Sequence, residues 1–141
     1  MTSQPKSAKE KVKIIFDANA LFVPLQFNID IFEETTQLLD RNFEPVVLLS
    51  TREELERIAK QGPPETRKKA AFALKLAKKC KLLKINKGNE TSTDDLIVQA
   101  ASKYNYPVFT NDRQLRNRLR DINVPVIYVR QKSRLDMDGR L

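Results

Sequence analysis

Four carboxylates, Asp17, Glu54, Asp94 and Asp112, each stand just past an apolar run or at the opening of a helical pattern. The sharpest case is the stretch VKIIFDAN over residues 12–19, where a β-branched run stops abruptly on Asp17. That pattern is a buried strand delivering an acid to its C-terminal edge, where open α/β sheets bind their ligands. Glu54 follows the run EPVVLLS and has Ile58 four residues on, so it borders the inward stripe of a helix while Glu53 and Arg57 pair outward. Thr51 and Glu54 also fit a capping box, and both readings stand. Asp94 shares a helical stripe with Ile97 and Ala101, whereas Asp95 is turned roughly 100° away. Asp112 shares its face with Leu115 and Leu119. Ordinary helix-start electrostatics explains an isolated acid at either place, so the functional reading rests on convergence.

Carboxylates gathered on one rim repel one another and raise each other's pKa, a cost that divalent cations between them relieve. The 141 residues include no His and one Cys. That removes the usual general base and the usual transition-metal ligands, and all-oxygen donors select Mg²⁺ or Mn²⁺. Lone Cys80 is expected in or beside the core. A formal charge of +8 favours a polyanionic partner, most simply nucleic acid. An acidic metal pocket on a basic protein points to phosphodiester chemistry: activating water, orienting the phosphate and stabilising the attacking and leaving oxygens. Phosphatase folds with an Asp after the first strand need a second Asp two residues on, and Asn19 stands there.

After Asp112, Arg113, Arg116 and Arg120 share one helix face. With Arg118, Arg130, Lys132 and Arg134 they form a candidate phosphate-gripping rim, set against the plainer reading of a solvated face. Arg118 is expected toward the apolar side of that helix. Lys68, Lys75 and Lys79 fit a solubility face. Tyr104, Tyr106 and Phe109 fit the core better than base-stacking platforms.

The elements that must position these groups alternate. Strands are expected to residue 16 and over 44–50, 81–85, 106–110 and 124–129. Helices are expected over 18–23 (stopped by Pro24), 28–39, 51–60, 64–79, 93–103 (with Tyr104 inward) and 111–122, with a loop over 86–91. Such alternation implies βαβ units and a parallel sheet with helices on both faces. One domain is expected over 12–130, between a flexible tail (1–11) and a basic C-terminal tail (131–141) with too little apolar surface to fold alone. No apolar run approaches the roughly 20 residues of a membrane span, so a cytoplasmic protein without a membrane partner is expected.

Over about residues 13–134 these features resemble the PIN-domain ribonucleases. The family's acid after the first strand matches Asp17 in IIFDANAL, and its Glu before a Leu early in a helix matches Glu54-Leu55. Its third acid matches Asp94 in DDLIVQAA, and its Thr-Asn-Asp element matches Thr110-Asn111-Asp112. The resemblance implies a three-layer α/β/α sandwich with a central parallel sheet, and Mg²⁺- or Mn²⁺-dependent cleavage of single-stranded RNA. It makes Asp17, Glu54, Asp94 and Asp112 the catalytic, metal-holding acids. Asn19 and Thr110 would give polar support, with Asp95 and Asn111 beside them, and Arg113, Arg116, Arg120 and Arg130 would hold RNA. The closing VPVIYVR and the doubled Asp94-Asp95 resemble the branch linked to ribosomal RNA maturation, so an rRNA precursor, single-stranded or structured, is the expected substrate. The family also includes toxins paired with antitoxins and members without catalysis. An RNA-binding assembly factor of little turnover and a toxin held by an antitoxin therefore remain alternatives, with a homodimer or protein partner open.

Overall fold

Short, near-continuous apolar runs, buried on both faces of a parallel sheet, form β1 (Val12–Phe16), β2 (Phe43–Leu48), β3 (Lys81–Leu83), β4 (Val108–Phe109) and β5 (Val126–Arg130). This computed structural model describes residues 11–85 and 91–141. The expected tail up to residue 10 and the expected loop over 86–90 lie outside the described residues. The sheet order is β3-β2-β1-β4-β5-β6, parallel through β5. The sixth strand, β6 (Arg134–Asp138), pairs antiparallel with β5. It lies in the segment expected to be a basic tail. Leu135 is buried, Met137 packs on the core, and β5 offers a ready edge, so short alternation sufficed where bulk hydrophobicity was low.

Among the described residues six helices cover the sheet: α1 (Ala18–Phe27), α2 (Ile31–Leu39), α3 (Leu49–Gln61), α4 (Pro64–Ala77), α5 (Thr93–Tyr104) and α6 (Arg113–Asp121). Strand alternation divides the core in two. Ile14, Phe16, Val47, Phe109 and Ile127 face Leu21, Leu55, Ala73 and Ala77, on the side of α1, α3 and α4. Ile15, Val46, Val108 and Val126 face Leu96, Ile97, Leu115 and Leu119, on the side of α5 and α6. Phe16 lies at the centre of the first layer, its ring centroid 5.1 Å from Phe109 and 6.0 Å from Phe43. Truncating a ring so buried costs about 3–5 kcal/mol, and this rigidity is what holds the next residue, Asp17, in place.

Helix boundaries depart from expectation where local chemistry was outweighed. Helix α1 runs through Pro24 to Phe27, because Leu21, Val23 and Phe27 anchor both sides of the missing hydrogen bond. It ends only where Asn28 turns left-handed and donates to the Pro24 carbonyl. Asp30 caps α2 through the Phe32 and Glu33 amides, so that helix opens three residues later than expected. Helix α3 opens directly from β2 at Leu49 with no side-chain cap, so Thr51 is a buried helix residue and the capping box is absent. Tyr104 ends α5 exposed rather than inward. Lys68, Lys75 and Lys79 are exposed, as a solubility face requires. Cys80 is buried, and burial pushes its thiol up to about 12, leaving it inert.

From β1 the chain moves to β2 and β3 on one side, then crosses to β4 on the other. The carboxyl ends of β1 and β4 therefore flank a topological switch point, the crevice in which such sheets bind ligands.

Candidate functional site

Asp17 leaves β1 at that crevice, and its amide donates to the Phe109 carbonyl at 3.0 Å. It is only 7% exposed. Its Oδ1 accepts from the Ala18 amide at 2.8 Å, which caps α1. Its Oδ2 accepts from the Thr110 hydroxyl at 2.8 Å and from Asn19 Nδ2 at 3.1 Å. Burial raises the Asp17 pKa, and the charges of Asp94 and Asp112 raise it further, while Thr110 and Ala18 pull it back.

The Thr110-Asn111-Asp112 element follows β4 and performs three jobs. Thr110 Oγ1 accepts from the Asp112 amide at 3.1 Å while donating to Asp17, so it ties two acids together. The Asn111 amide donates to Asn19 Oδ1 at 3.0 Å, and Asn111 Oδ1 accepts from the Val129 amide at 2.8 Å, linking α1 to β5. Asp112 Oδ1 caps α6 by accepting from Leu115 at 3.0 Å. Because the Thr110 hydroxyl is buried between two partners, Thr110→Val should destabilise the protein by about 1–3 kcal/mol. Thr110→Ser should recover most of that loss. Urea unfolding reads both, and equal midpoints for the two variants would remove Thr110 from this role.

Asp94 and Asp95 open α5, with Ser92 capping the helix at the Asp95 amide. Asp94 is half-buried and is raised first by burial, then by Asp112, with Asp95 and Glu54 adding and Arg118 opposing. Asp95 points outward, and Arg118, 2.9 Å away, holds its carboxyl below the usual range. The inward and outward assignments match the helical phase expected. Asp17, Asp94 and Asp112 thus influence one another directly, and Glu54 reaches the cluster through Asp94. Glu54 itself is exposed on the second turn of α3, 3.9 Å from Arg57, which pairs with it rather than with Glu53.

The arginines divide differently from expectation. Arg118 flanks the apolar stripe, as expected, but its side chain is exposed. It lies about 60° from Leu115 on the helical wheel, and its long side chain reaches out to Asp95. Arg116 and Arg120 face Asp138 of β6 at 3.5 and 3.8 Å, and Arg130 meets Asp136 at 2.7 Å. The Arg116 guanidinium also lies 3.7 Å over the Tyr128 ring. Only Arg113 of the expected RNA-holding four makes no ion pair among the described residues. It borders a groove with Asn111, Tyr128 and Lys132.

Sequence reasoning missed two features of the structure. One is the acidic pair on β6, Asp136 and Asp138, whose charge was hidden inside a basic segment. The other is the β2–α3 junction, where the Ser50 and Thr51 hydroxyls are buried without a partner among the described residues. A strand passing straight into a helix leaves no sequence signal there.

The donor set suits a hard cation. Among the described residues no protein donor engages Asp94 or Asp112 Oδ2, and Asp17 Oδ1 accepts a single hydrogen bond. The carboxylates stand apart, however: among the described residues no three of them are gathered closely enough to hold an ion as they lie. No helix among those residues is long and apolar enough to cross a membrane.

A family model described as a PIN like domain matches residues 14–132. The chain is similar to Ribonuclease VapC4 of Methanocaldococcus jannaschii, 34% identical over 128 residues, which span 90% of this chain and 97% of that one. It is also similar to Ribonuclease VapC9 of Archaeoglobus fulgidus, 27% identical over 90 residues and 64% of each chain. Among solved structures, that of the PIN domain endonuclease Utp24 superposes with a TM-score of 0.77 at 28% identity, covering 92% of both chains. A domain of a functionally unknown Methanocaldococcus jannaschii protein, 16% identical with a TM-score of 0.63 over 92% and 99% of the two chains, shares the fold.

Proposed function

The chain belongs to the PIN-like domain family of ribonucleases, and on that premise we propose that it is a divalent-metal-dependent endoribonuclease acting on single-stranded RNA at the β1–β4 rim. One observation carries the reading. Buried Asp17 past β1 and Asp112 past β4 flank the switch point and share the Thr110 hydroxyl, and the charges of Asp94 and Asp112 add to burial in pushing Asp17 up. A fold does not keep such repulsion for its own stability, since neutral caps would serve the helices as well. Asp17, Asp94 and Asp112 would hold the cation, with Glu54 completing the set when it leaves Arg57. When bound, Mg²⁺ or Mn²⁺ supplies Lewis acidity toward the phosphate and an acidified water. The chain's own residues do the rest: Thr110 and Asn19 fix the Asp17 carboxylate, and Arg113 orients the phosphate beside it.

The doubled Asp94-Asp95 and the closing strand support an rRNA precursor as substrate. Cleavage of a labelled, unstructured RNA in Mn²⁺ but not in EDTA tests the activity. Cleavage that persists in EDTA overturns the metal. Binding without cleavage would favour the second reading, an RNA-bound assembly factor, which the separation of the carboxylates supports. A toxin silenced by an antitoxin would instead copurify with that partner from its native cell.

Arg113→Ala should weaken RNA binding and lower the salt slope by roughly 0.7, one phosphate contact on a single strand. Arg118 pairs with Asp95 and is no neutral control, so exposed Lys68→Ala takes that place. Anisotropy titrations in Ca²⁺ read the slope, and an unchanged one would remove Arg113 from the phosphate path.

A further inference from the structure

A cleft lies at the opposite end of the sheet from the acids. It has a volume of about 550 Å³ and is framed by the amino ends of β1, β4 and β5, at Val12, Pro107 and Pro125. Four cations line it, Lys11, Lys13, Arg41 and Arg140, and among the described residues no Asp or Glu does. Its wall carries the molecule's one stacked tyrosine pair among the described residues: Tyr104 and Tyr106, with centroids 5.3 Å apart and planes 22° from parallel. Tyr106 is half-buried on the core, whereas Tyr104 is 38% exposed. Lys13 lies 5.9 Å from the Tyr106 ring and Lys103 5.3 Å from the Tyr104 ring.

Tyr104 packs on Tyr106 yet stays 38% exposed, and an apolar partner would not want four cations around it. Aromatic rings interleaved with phosphate-binding cations are how proteins hold single strands without reading sequence. We propose that this cleft is a second RNA site, in which a base stacks on Tyr104 while Lys11, Lys13, Arg41 and Arg140 hold the flanking phosphates. Five residues of β1, at about 3.3 Å each, separate it from the acid rim by roughly 17 Å. The cleft therefore takes a different stretch of RNA from the one cut. The proposal needs none of the acids, and it stands or falls separately from the nuclease reading.

The test uses the full chain in Ca²⁺ and a single-stranded oligonucleotide bearing 2-aminopurine, whose fluorescence reports stacking. Tyr104→Ala should weaken binding about 5- to 150-fold, the cost of one lost base stack. It should also abolish the quench, while Tyr104→Phe keeps both. Arg41→Ala with Arg140→Ala should lower the salt slope by about 1.4, two phosphate contacts, while Lys68→Ala leaves it unchanged. Asp17→Asn should retain the quench, which separates this site from the catalytic rim. Unchanged affinity and quench in Tyr104→Ala overturn the proposal. So does a wild-type cleft that binds polyglutamate as tightly as RNA, since it would then be a site for an acidic polypeptide.

Discussion

Asp17→Asn should abolish RNA cleavage, by roughly 10³-fold or more, and yet leave the metal-free protein harder to unfold. On the proposed function Asp17 is a ligand, and the activity loss is that of a cation worth several kcal/mol to the transition state, at tenfold per 1.36 kcal/mol. The stability gain follows from the site's geometry. The carboxylate is buried beside Asp94 and Asp112, so its charge costs more folded than unfolded. Asparagine keeps the oxygen that accepts from Ala18, and the Thr110 hydroxyl can turn to accept from the new amide. Mn²⁺ at a hundred times its Kd should stabilise wild type by about 2.7 kcal/mol and leave the variant unmoved. A variant with the wild-type Mn²⁺ shift would show that Asp17 is no ligand.

The pH dependence carries the same sign. Asp17 and Asp94 titrate higher folded than unfolded, from an ordinary value of 3.8. Between the two values the folded chain binds more protons, so this contribution is full below the unfolded pKa and is lost as pH climbs through the folded one. Asp95 and Asp136 are held low by Arg118 and Arg130 and contribute oppositely, losing stability as pH falls. The informative quantity is thus the difference between wild type and Asp17→Asn in EDTA. It should widen in the variant's favour from pH 4 to 7 and close again in Mn²⁺.

Asp17 and the Thr110-Asn111-Asp112 element were legible because a buried strand ending on a polar residue leaves a contrast any chain must show. The inward phase of Asp94 was legible for a similar reason: 100° per residue decides between neighbours. Glu54 was less so. A helix that begins at Leu49 without a cap places it on the second turn, exposed and beside Arg57, and only its influence on Asp94 marks its place. The arginine face was misread because its partners came from β6, a strand whose pairing with β5 is decided in space rather than in local pattern. Pro24 was given too much weight. Its local cost of about 3 kcal/mol is offset by Leu21 and Val23 packing in the core.

Asp94→Asn should cost roughly 10²- to 10³-fold in cleavage, the share of one further ligand, and Asp95→Asn only a few-fold. Both are carboxylates in the first turn of α5 and serve its dipole alike, so helix capping predicts equal effects. Their surroundings differ. Asp94 is half-buried and feels Asp112 and Glu54, whereas Asp95 is solvated and feels Arg118. Losing Asp95 also frees Arg118 to pull on Asp94. The acidic limb of the pH–rate profile should then move to lower pH in Asp95→Asn and to higher pH in Arg118→Ala. Opposite displacements of this kind cannot come from a merely structural pair, which would lower rates without moving the limb. Rates across pH 5–8 in saturating Mn²⁺ decide it. If Asp95→Asn proves the more damaging, the outward acid serves the cation and the assigned phase of α5 is wrong.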